Sequence, residues 1–213
     1  MAVVKSLRLN LGCGRLPLEG WWNIDIRDGP GVNAIADLDG PGSLSGVPDA
    51  SVDAARAFAL LEHLPHYEHL VLEVARVLKA GAPFEVVVPY KNDYMPFHKV
   101  QFAPWTFDIF RSDHVPREMD LRRRKPEYDS YEAHEKQYFL QESRAIEHYF
   151  PFAWHLARRF GRRAYRLPLG RRKLIYWVLR RNDRPYARDV QDPVVRRIHK
   201  DGRNAGLAAE VGL

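Results

Sequence analysis

Five short apolar runs lie within the first ninety positions, and each has the length and composition typical of a β-strand. The runs cover residues 7–11, 23–26, 33–38, 51–58 and 84–89. Between the last two runs, apolar residues recur with helical spacing from Tyr67 to Leu78 and stop at Gly81. Strands that alternate with crossover connections predict an α/β domain built on a doubly wound sheet.

The second half of the chain has weaker patterns. Residues 138–150 have helical character, whereas residues 152–160 and 173–180 are two extended apolar runs that predict a closing antiparallel hairpin. Residues 112–136 are polar and are interpreted as an insertion. We therefore expect one domain over residues 1–182, with a substrate-side segment at residues 90–150, followed by a basic tail over residues 183–213.

Composition supports a single domain and limits its class. The chain has 213 residues, 46% of them apolar, which is enough for one sizeable core. Its single cysteine, Cys13, excludes an internal disulfide framework and a cysteine-rich zinc site. We find neither the apolar run of a signal peptide nor one that spans a bilayer, so we expect a soluble, cytoplasmic protein with no membrane span.

Charge is distributed unevenly along the chain. Residues 158–203 contain 16 of the 33 basic residues and four of the 27 acidic ones, a local net charge of +12 against +6 for the whole chain. Such a segment is typical of a solvated face, and it is also compatible with weak binding to nucleic acid or to an acidic partner. Both interpretations stay open.

The first run ends in the turn Gly12-Cys13-Gly14, where two glycines let a ligand approach the backbone closely. A nucleotide-like cofactor is the first hypothesis. A dinucleotide fingerprint would need a third glycine at Pro17, and no phosphate-binding Gly-Lys-Ser or Gly-Lys-Thr follows. Asp25 ends the second run, where a carboxylate can accept hydrogen bonds from the two hydroxyls of a ribose. Asp37 could accept one from the exocyclic amine of an adenine and flank that base together with Leu38. For either carboxylate, capping of a turn is the alternative role.

Four motifs together resemble the class I S-adenosylmethionine-dependent methyltransferases of the type 11 group. They are Leu-Asn-Leu-Gly-Cys-Gly at residues 9–14, Gly-Trp-Trp-Asn-Ile-Asp at 20–25, Leu-Glu-His-Leu-Pro at 61–65 and Arg-Val-Leu-Lys-Ala-Gly at 76–81. The resemblance implies a Rossmann-like, seven-stranded doubly wound sheet with a C-terminal antiparallel hairpin, and S-adenosyl-L-methionine as cofactor. Only eleven positions separate Gly14 from Asp25, which leaves little room for the helix that usually joins the first two strands of this family.

The resemblance also implies which residues bind the cofactor. Gly12 and Gly14 would face its methionine part, Asp25 the ribose and Asp37 the adenine, while Ala57 and Phe58 would line the methionine side. The expected cofactor-binding residues are Gly12, Cys13, Gly14, Asp25, Ile26, Asp37, Leu38, Ala57, Phe58 and His63. Glu62 and His63 would fix the loop after the fourth strand against this pocket, although Glu62 at a helix start would look the same in sequence.

Residues 90–107 follow the fifth strand and should border the site of methyl transfer. Tyr94, Phe97, Phe102 and Trp105 could form an apolar wall around the acceptor, and His98 is the candidate catalytic general base or else a loop histidine. The function expected is methyl transfer to an oxygen or nitrogen nucleophile of a small molecule or sugar. The alternatives are a methyltransferase acting on nucleic acid or protein, and a non-catalytic module that binds the same cofactor.

Three histidines, His63, His66 and His69, stand three positions apart, a spacing that can bring metal ligands together on a helix. Pro65 interrupts them, and neither a cysteine nor a carboxylate cluster completes the set. We therefore expect no metal site.

Overall fold

A computed structural model describes residues 6–90, 95–113, 137–149, 153–166 and 171–186. One seven-stranded sheet, in the order β3-β2-β1-β4-β5-β7-β6, forms its centre. The strands are β1 (Arg8–Leu11), β2 (Trp22–Asp25), β3 (Ala34–Ile35), β4 (Ala54–Phe58), β5 (Pro83–Pro89), β6 (Phe139–Tyr149) and β7 (Arg171–Arg181). The helices are α1 (Tyr67–Val77) and α2 (Ala153–Phe160), with 3-10 helices at Leu61–His63, Thr106–Phe110 and Gly161–Arg166.

The pairing of the strands confirms the predicted fold class. Strands β1 to β5 run parallel, whereas β7 pairs antiparallel with both β5 and β6. The interior strand β5 is almost continuously apolar, as expected for a strand that is covered on both faces. Leu9, Leu11, Val86 and Val88 are fully buried, and Trp177 of β7, opposite Val86, is 1% exposed.

Helix α1 covers one face of the sheet and forms where the apolar spacing predicts it. Its buried residues include Leu70, Val74 and Val77. Two charged residues, Glu73 and Arg76, are buried with them as an ion pair in which Arg76 Nη2 lies 2.9 Å from Glu73 Oε2. The Arg76 guanidinium also donates to Leu44 O at 2.7 Å and to Asp49 Oδ1 at 2.6 Å, which pins the 40–49 loop to the helix.

The connection from β1 to β2 contains no helix, in agreement with the short spacing between Gly14 and Asp25. A network of side-chain amides, of which Asn10 and Asn23 are buried, holds it instead. Asn23 Oδ1 accepts hydrogen bonds from Asn10 Nδ2 and from Leu18 N, both at 2.8 Å. The Asn23 backbone N–H donates to Asn33 Oδ1, also at 2.8 Å.

The C-terminal hairpin forms, but from different residues than predicted. Residues 139–149 are strand β6 and not a helix, and residues 153–160 are helix α2 and not a strand. The period-2 pattern of β6 is broken by register shifts between Gln141 and Ser143 and between Glu147 and His148. In α2, apolar residues at 153, 156, 157 and 160 follow helical spacing, and this period decides the structure over the extended run predicted for the same residues.

Several expectations fall outside the described residues. The polar insertion at residues 114–136 is one of them, and so is the basic tail beyond residue 186. None of the helices in the described part of the chain has both the length and the apolar content needed to cross a membrane.

Candidate cofactor and acceptor site

A cleft lies beyond the carboxyl ends of the parallel strands. Strand β1 has β2 on one side and β4 on the other, so the sheet reverses its winding direction there, and ligands of open α/β sheets bind at such a point. The cavity has a volume of about 1150 Å³. Its lining contains seven of the ten predicted cofactor-binding residues: Gly12, Gly14, Asp25, Ile26, Asp37, Leu38 and His63.

The turn after β1 requires glycine on two grounds. Gly12 has φ +62° and Gly14 has φ +54°, a backbone conformation that other residues adopt only with strain. A Cβ atom at position 12 would also lie 2.6 Å from Leu60 Cδ1. The turn therefore presents bare backbone to the cleft and packs directly against the loop that follows β4.

Asp25 joins the end of β2 to this turn. Its Oδ2 accepts a hydrogen bond from Gly14 N at 2.7 Å, and its Oδ1 accepts one from Arg27 N at 3.1 Å. An ionised carboxylate has about four acceptor positions, so Asp25 can accept further hydrogen bonds from a ligand in the cleft. Turn capping and ligand binding are thus compatible roles for this residue.

The loop after β3 contributes two further carboxylates. Asp37 is exposed, and its Oδ1 accepts from Asp39 N at 3.0 Å. Asp39, which also lines the cleft, was missed in the sequence; it accepts from His66 N at 2.8 Å and from His66 Nδ1 at 3.0 Å. These bonds connect the loop after β3 to the residue before α1.

Three predicted cofactor-binding residues do not line the cleft. Cys13 is 6% exposed and Ala57 is fully buried, while the Phe58 ring lies 3.6 Å from the guanidinium carbon of Arg56. The reason is that the chain turns only after Phe58. Ala59, with φ +49°, and Leu60 consequently line the cleft in place of Ala57 and Phe58.

The segment after β5 reaches the cleft through backbone hydrogen bonds. Lys99 N and Val100 N donate to Glu62 O at 2.7 and 3.2 Å, respectively. This places the His98 ring 5.0 Å from that of His63, a residue of the cleft lining, although His98 itself does not line the cavity.

The aromatic residues of this segment have separate positions. Phe97 and Trp105 are 53% and 59% exposed, and the Phe97 ring stacks on His63 at 5.7 Å. Phe102 is fully buried against Tyr67 and belongs to the core, which corrects its expected place in an acceptor wall. Tyr94 lies outside the described residues.

Glu62 is a functional candidate whose role the sequence left open. It is 1% exposed, and burial raises the pKa of its carboxyl group to about 7. Its Oε2 has no hydrogen-bond partner among the described residues. A carboxyl group with these properties next to a cleft is a signature of functional sites.

The histidine trio considered in the sequence is not assembled. His66 bonds to Asp39, and its ring stacks on that of His69 at 5.8 Å. His63 instead joins Glu62 and His98, and one ligand atom from each of these three residues lies within 4.8 Å of the others.

Comparison with known proteins adds information at the level of the fold. No family model and no curated protein matches the sequence. A SAM-dependent methyltransferase from Archaeoglobus fulgidus matches with a TM-score of 0.51 at 14% identity, over 84% of this chain and 87% of that one. An S-adenosylmethionine-dependent methyltransferase from Mesorhizobium loti matches with a TM-score of 0.49 at 16% identity, over 83% and 91% of the two chains. The [4+2]-cyclase SpnF matches with a TM-score of 0.48 at 15% identity, over 83% and 75%.

The chain has the class I methyltransferase fold. The resemblance inferred from the four sequence motifs is therefore confirmed for the architecture. Reaction and ligands follow from the site and not from the fold.

Proposed function

We propose that the protein is a methyltransferase that uses S-adenosyl-L-methionine and transfers the methyl group to an oxygen or nitrogen atom of a small molecule or sugar. The observation that carries the proposal is the convergence of a glycine turn and two strand-end carboxylates on one cleft, at the reversal point of the sheet.

The residues present fit such a cofactor. The turn at Gly12 and Gly14 offers backbone without side chains, and Asp25 keeps acceptor capacity for the two hydroxyls of a ribose. Asp37, in the loop after β3, is exposed in the same cleft and can accept from an exocyclic amine. The cavity of about 1150 Å³ exceeds the range of roughly 300–1,000 Å³ usual for small-molecule sites, so a cofactor and an acceptor can be bound together.

The chemistry expected of the chain is mainly positioning. Bound cofactor would supply an electrophilic methyl group on a sulfonium. The protein has to hold the acceptor in line with that methyl group, which converts a bimolecular step into one within the complex. When the attacking oxygen or nitrogen must lose a proton, we propose that His98 takes it up. Phe97, exposed and stacked on His63, supports the proposed class of acceptor because its face can pack against a planar or sugar ring.

Calorimetric titration with S-adenosylmethionine and with its demethylated product tests cofactor binding. Asp25→Asn should weaken both by about 5- to 150-fold, corresponding to about 1–3 kcal/mol for hydrogen bonds lost to a charged group. Asp28→Asn is the matched control, because Asp28 also lines the cleft and its described hydrogen bond is to the neighbouring Gly29 N. Equal affinities for the two variants would contradict the role of Asp25, and no binding by the wild type would contradict the proposal.

The acceptor class is tested by incubation with methyl-labelled cofactor and fractionated small metabolites, followed by mass spectrometry of the labelled product. A labelled small molecule or sugar is the expected result. Weak, salt-sensitive binding to nucleic acid is expected from the basic segment. Submicromolar binding at physiological salt that disappears when residues 184–213 are deleted would favour a nucleic-acid acceptor instead.

A further inference from the structure

Glu62, His63 and His98 form a cluster of three metal-ligand donors beside the cofactor cleft. One donor atom from each residue lies within 4.8 Å of the other two. Glu62 and His63 come from the 3-10 helix Leu61–His63, and His98 comes from the segment after β5. No step of the proposed function uses this cluster as a unit.

Two atoms of the cluster are buried and have no hydrogen-bond partner among the described residues. They are Glu62 Oε2, on a residue that is 1% exposed, and His98 Nδ1. Burying such atoms without a partner is unfavourable, by far the most so for a carboxylate. A cation bound by both atoms would supply each with a partner and remove this cost.

Interactions around the cluster orient it for binding an ion. His63 Nδ1 lies 3.4 Å from Phe97 O, and an imidazole that donates from Nδ1 to a backbone carbonyl presents its Nε2 to a metal. Lys99 N and Val100 N donate to the Glu62 carbonyl and hold the His98 segment against the 3-10 helix. The cluster is therefore fixed by main-chain contacts on two sides.

The donor set favours a transition metal over magnesium. Two imidazoles and one carboxylate are a usual ligand set for zinc and also for non-haem iron(II), whereas magnesium prefers oxygen ligands throughout. Bonds of about 2.0–2.1 Å place the donors of a tetrahedral zinc site roughly 3.3 Å apart, which is compatible with donor atoms that all lie within 4.8 Å of one another.

We propose that Glu62, His63 and His98 bind Zn²⁺ with three protein ligands, next to the cofactor cleft. Three protein ligands leave a fourth position for water or for an acceptor oxygen, whose pKa the ion would lower. The proposal replaces the sequence-based expectation of no metal site, which considered a different trio. With zinc bound, His98 would be a ligand and the ion itself would ease loss of the acceptor proton, so the general-base role proposed above for His98 applies to the protein without zinc.

The test is a zinc titration of the full chain after chelator treatment, by calorimetry and without S-adenosylmethionine, so that it is independent of the proposed function. Cobalt substitution gives a second readout, since four-coordinate Co²⁺ absorbs strongly in the visible range. The variants are Glu62→Gln, which keeps the shape of the side chain, and His98→Ala. His66→Ala is the control because it removes a nearby surface imidazole from outside the cluster.

The expected result is one equivalent of zinc bound by the wild type and by His66→Ala, with the affinity reduced at least about tenfold in both cluster variants. The visible cobalt band should weaken in parallel. Circular dichroism is used to establish that each variant is folded. If Glu62→Gln does not fold, the comparison of His98→Ala with the wild type is sufficient for the test. The absence of zinc binding by the wild type at micromolar concentration, or the same loss in His66→Ala, would overturn the proposal.

Discussion

The two crossovers on either side of the cleft are built in opposite ways. The chain from β4 to β5 passes through α1, whose apolar face is buried on the sheet. The chain from β1 to β2 forms no helix and is held by the amides of Asn10, Asn23 and Asn33. The first crossover is stabilised mainly by removing apolar surface from water and the second by hydrogen bonds, which contribute less per contact.

The difference explains the shape of the cleft. A helix between β1 and β2 would cover one side of the cofactor site, whereas the short connection leaves that side open to solvent. Leu16, within this connection, is 81% exposed, and Ile26, directly after β2, is 63% exposed. We expect the β1–β2 side to open locally at lower free energy than the α1 side, because it buries less apolar surface.

The largest effect should come from Arg76→Met in the helical crossover. The change leaves Glu73, 2% exposed, without its guanidinium partner and removes the donor to Leu44 O. Breaking one side of a buried ion pair costs about 3–5 kcal/mol of unfolding free energy. Urea unfolding measures it, with Arg180→Met as control, since that arginine pairs with Glu142 at the surface. Similar losses for the two variants would mean that the buried pair does not stabilise α1.

Asn23→Ala addresses the crossover without a helix. Asn23 is 4% exposed, and the variant removes the acceptor for Leu18 N and for Asn10 Nδ2. Leaving a buried donor without a partner costs about 1–3 kcal/mol, so we expect a loss of about 2–3 kcal/mol in the same urea assay. Hydrogen exchange of Leu18 should accelerate while that of α1 does not. Equal acceleration in α1 would show that the two crossovers unfold as one unit.

Gly12→Ala should have a smaller effect on stability. Gly12 lies in the turn that begins the β1–β2 crossover and packs against Leu60 at the start of the β4–β5 crossover. The positive φ costs roughly 1–2 kcal/mol for an L residue, and the new Cβ displaces Leu60 from its present position. Gly14→Ala is the matched variant because it has the same strain with no atom within 4 Å of its Cβ. Thermal unfolding should show Gly12→Ala as the less stable of the two. If Gly14→Ala were the less stable variant, the contact with Leu60 would not be what requires glycine at position 12.

The smallest effect is expected at Asp53, which links the end of the helical crossover to the residue before β1 by accepting from Lys79 Nζ at 2.6 Å and from Leu7 N at 2.8 Å. The hydrogen bond from Lys79 is the main cause that lowers the pKa of Asp53. A lowered pKa stabilises the fold above the carboxyl's unfolded value, and this contribution disappears as the pH falls through the folded value. Asp53→Asn should thus lose under about 1 kcal/mol at pH 7 and less at pH 3, as urea midpoints would show. A difference that grows towards acid would contradict this account.

The elements that depend on residues close together in the sequence could be predicted from the sequence alone. The five parallel strands and α1 follow from local periodicity, and the missing helix follows from the spacing between Gly14 and Asp25. Gly12, Asp25 and Asp37 stand at strand ends, so their place in one cleft follows from the topology of parallel sheets.

Long-range contacts could not be predicted in the same way. Two register shifts in β6 break its alternation, and Ala59 adopts a positive φ that its sequence does not indicate. Glu62 and His98 meet because the amides after His98 bond to the Glu62 carbonyl. Main-chain bonds of this kind depend little on side-chain identity and leave no pattern in the sequence.

The position of β7 between β5 and β6 has a consequence for synthesis of the protein. When β5 leaves the ribosome, the partner of its outer edge does not yet exist, because β7 is the last of the described strands to be made. That edge is apolar, and an unpaired apolar edge is a template for association with another chain. Nascent chains that stop after β5 should therefore aggregate or recruit chaperones, and release from them should coincide with the emergence of Arg171–Arg181.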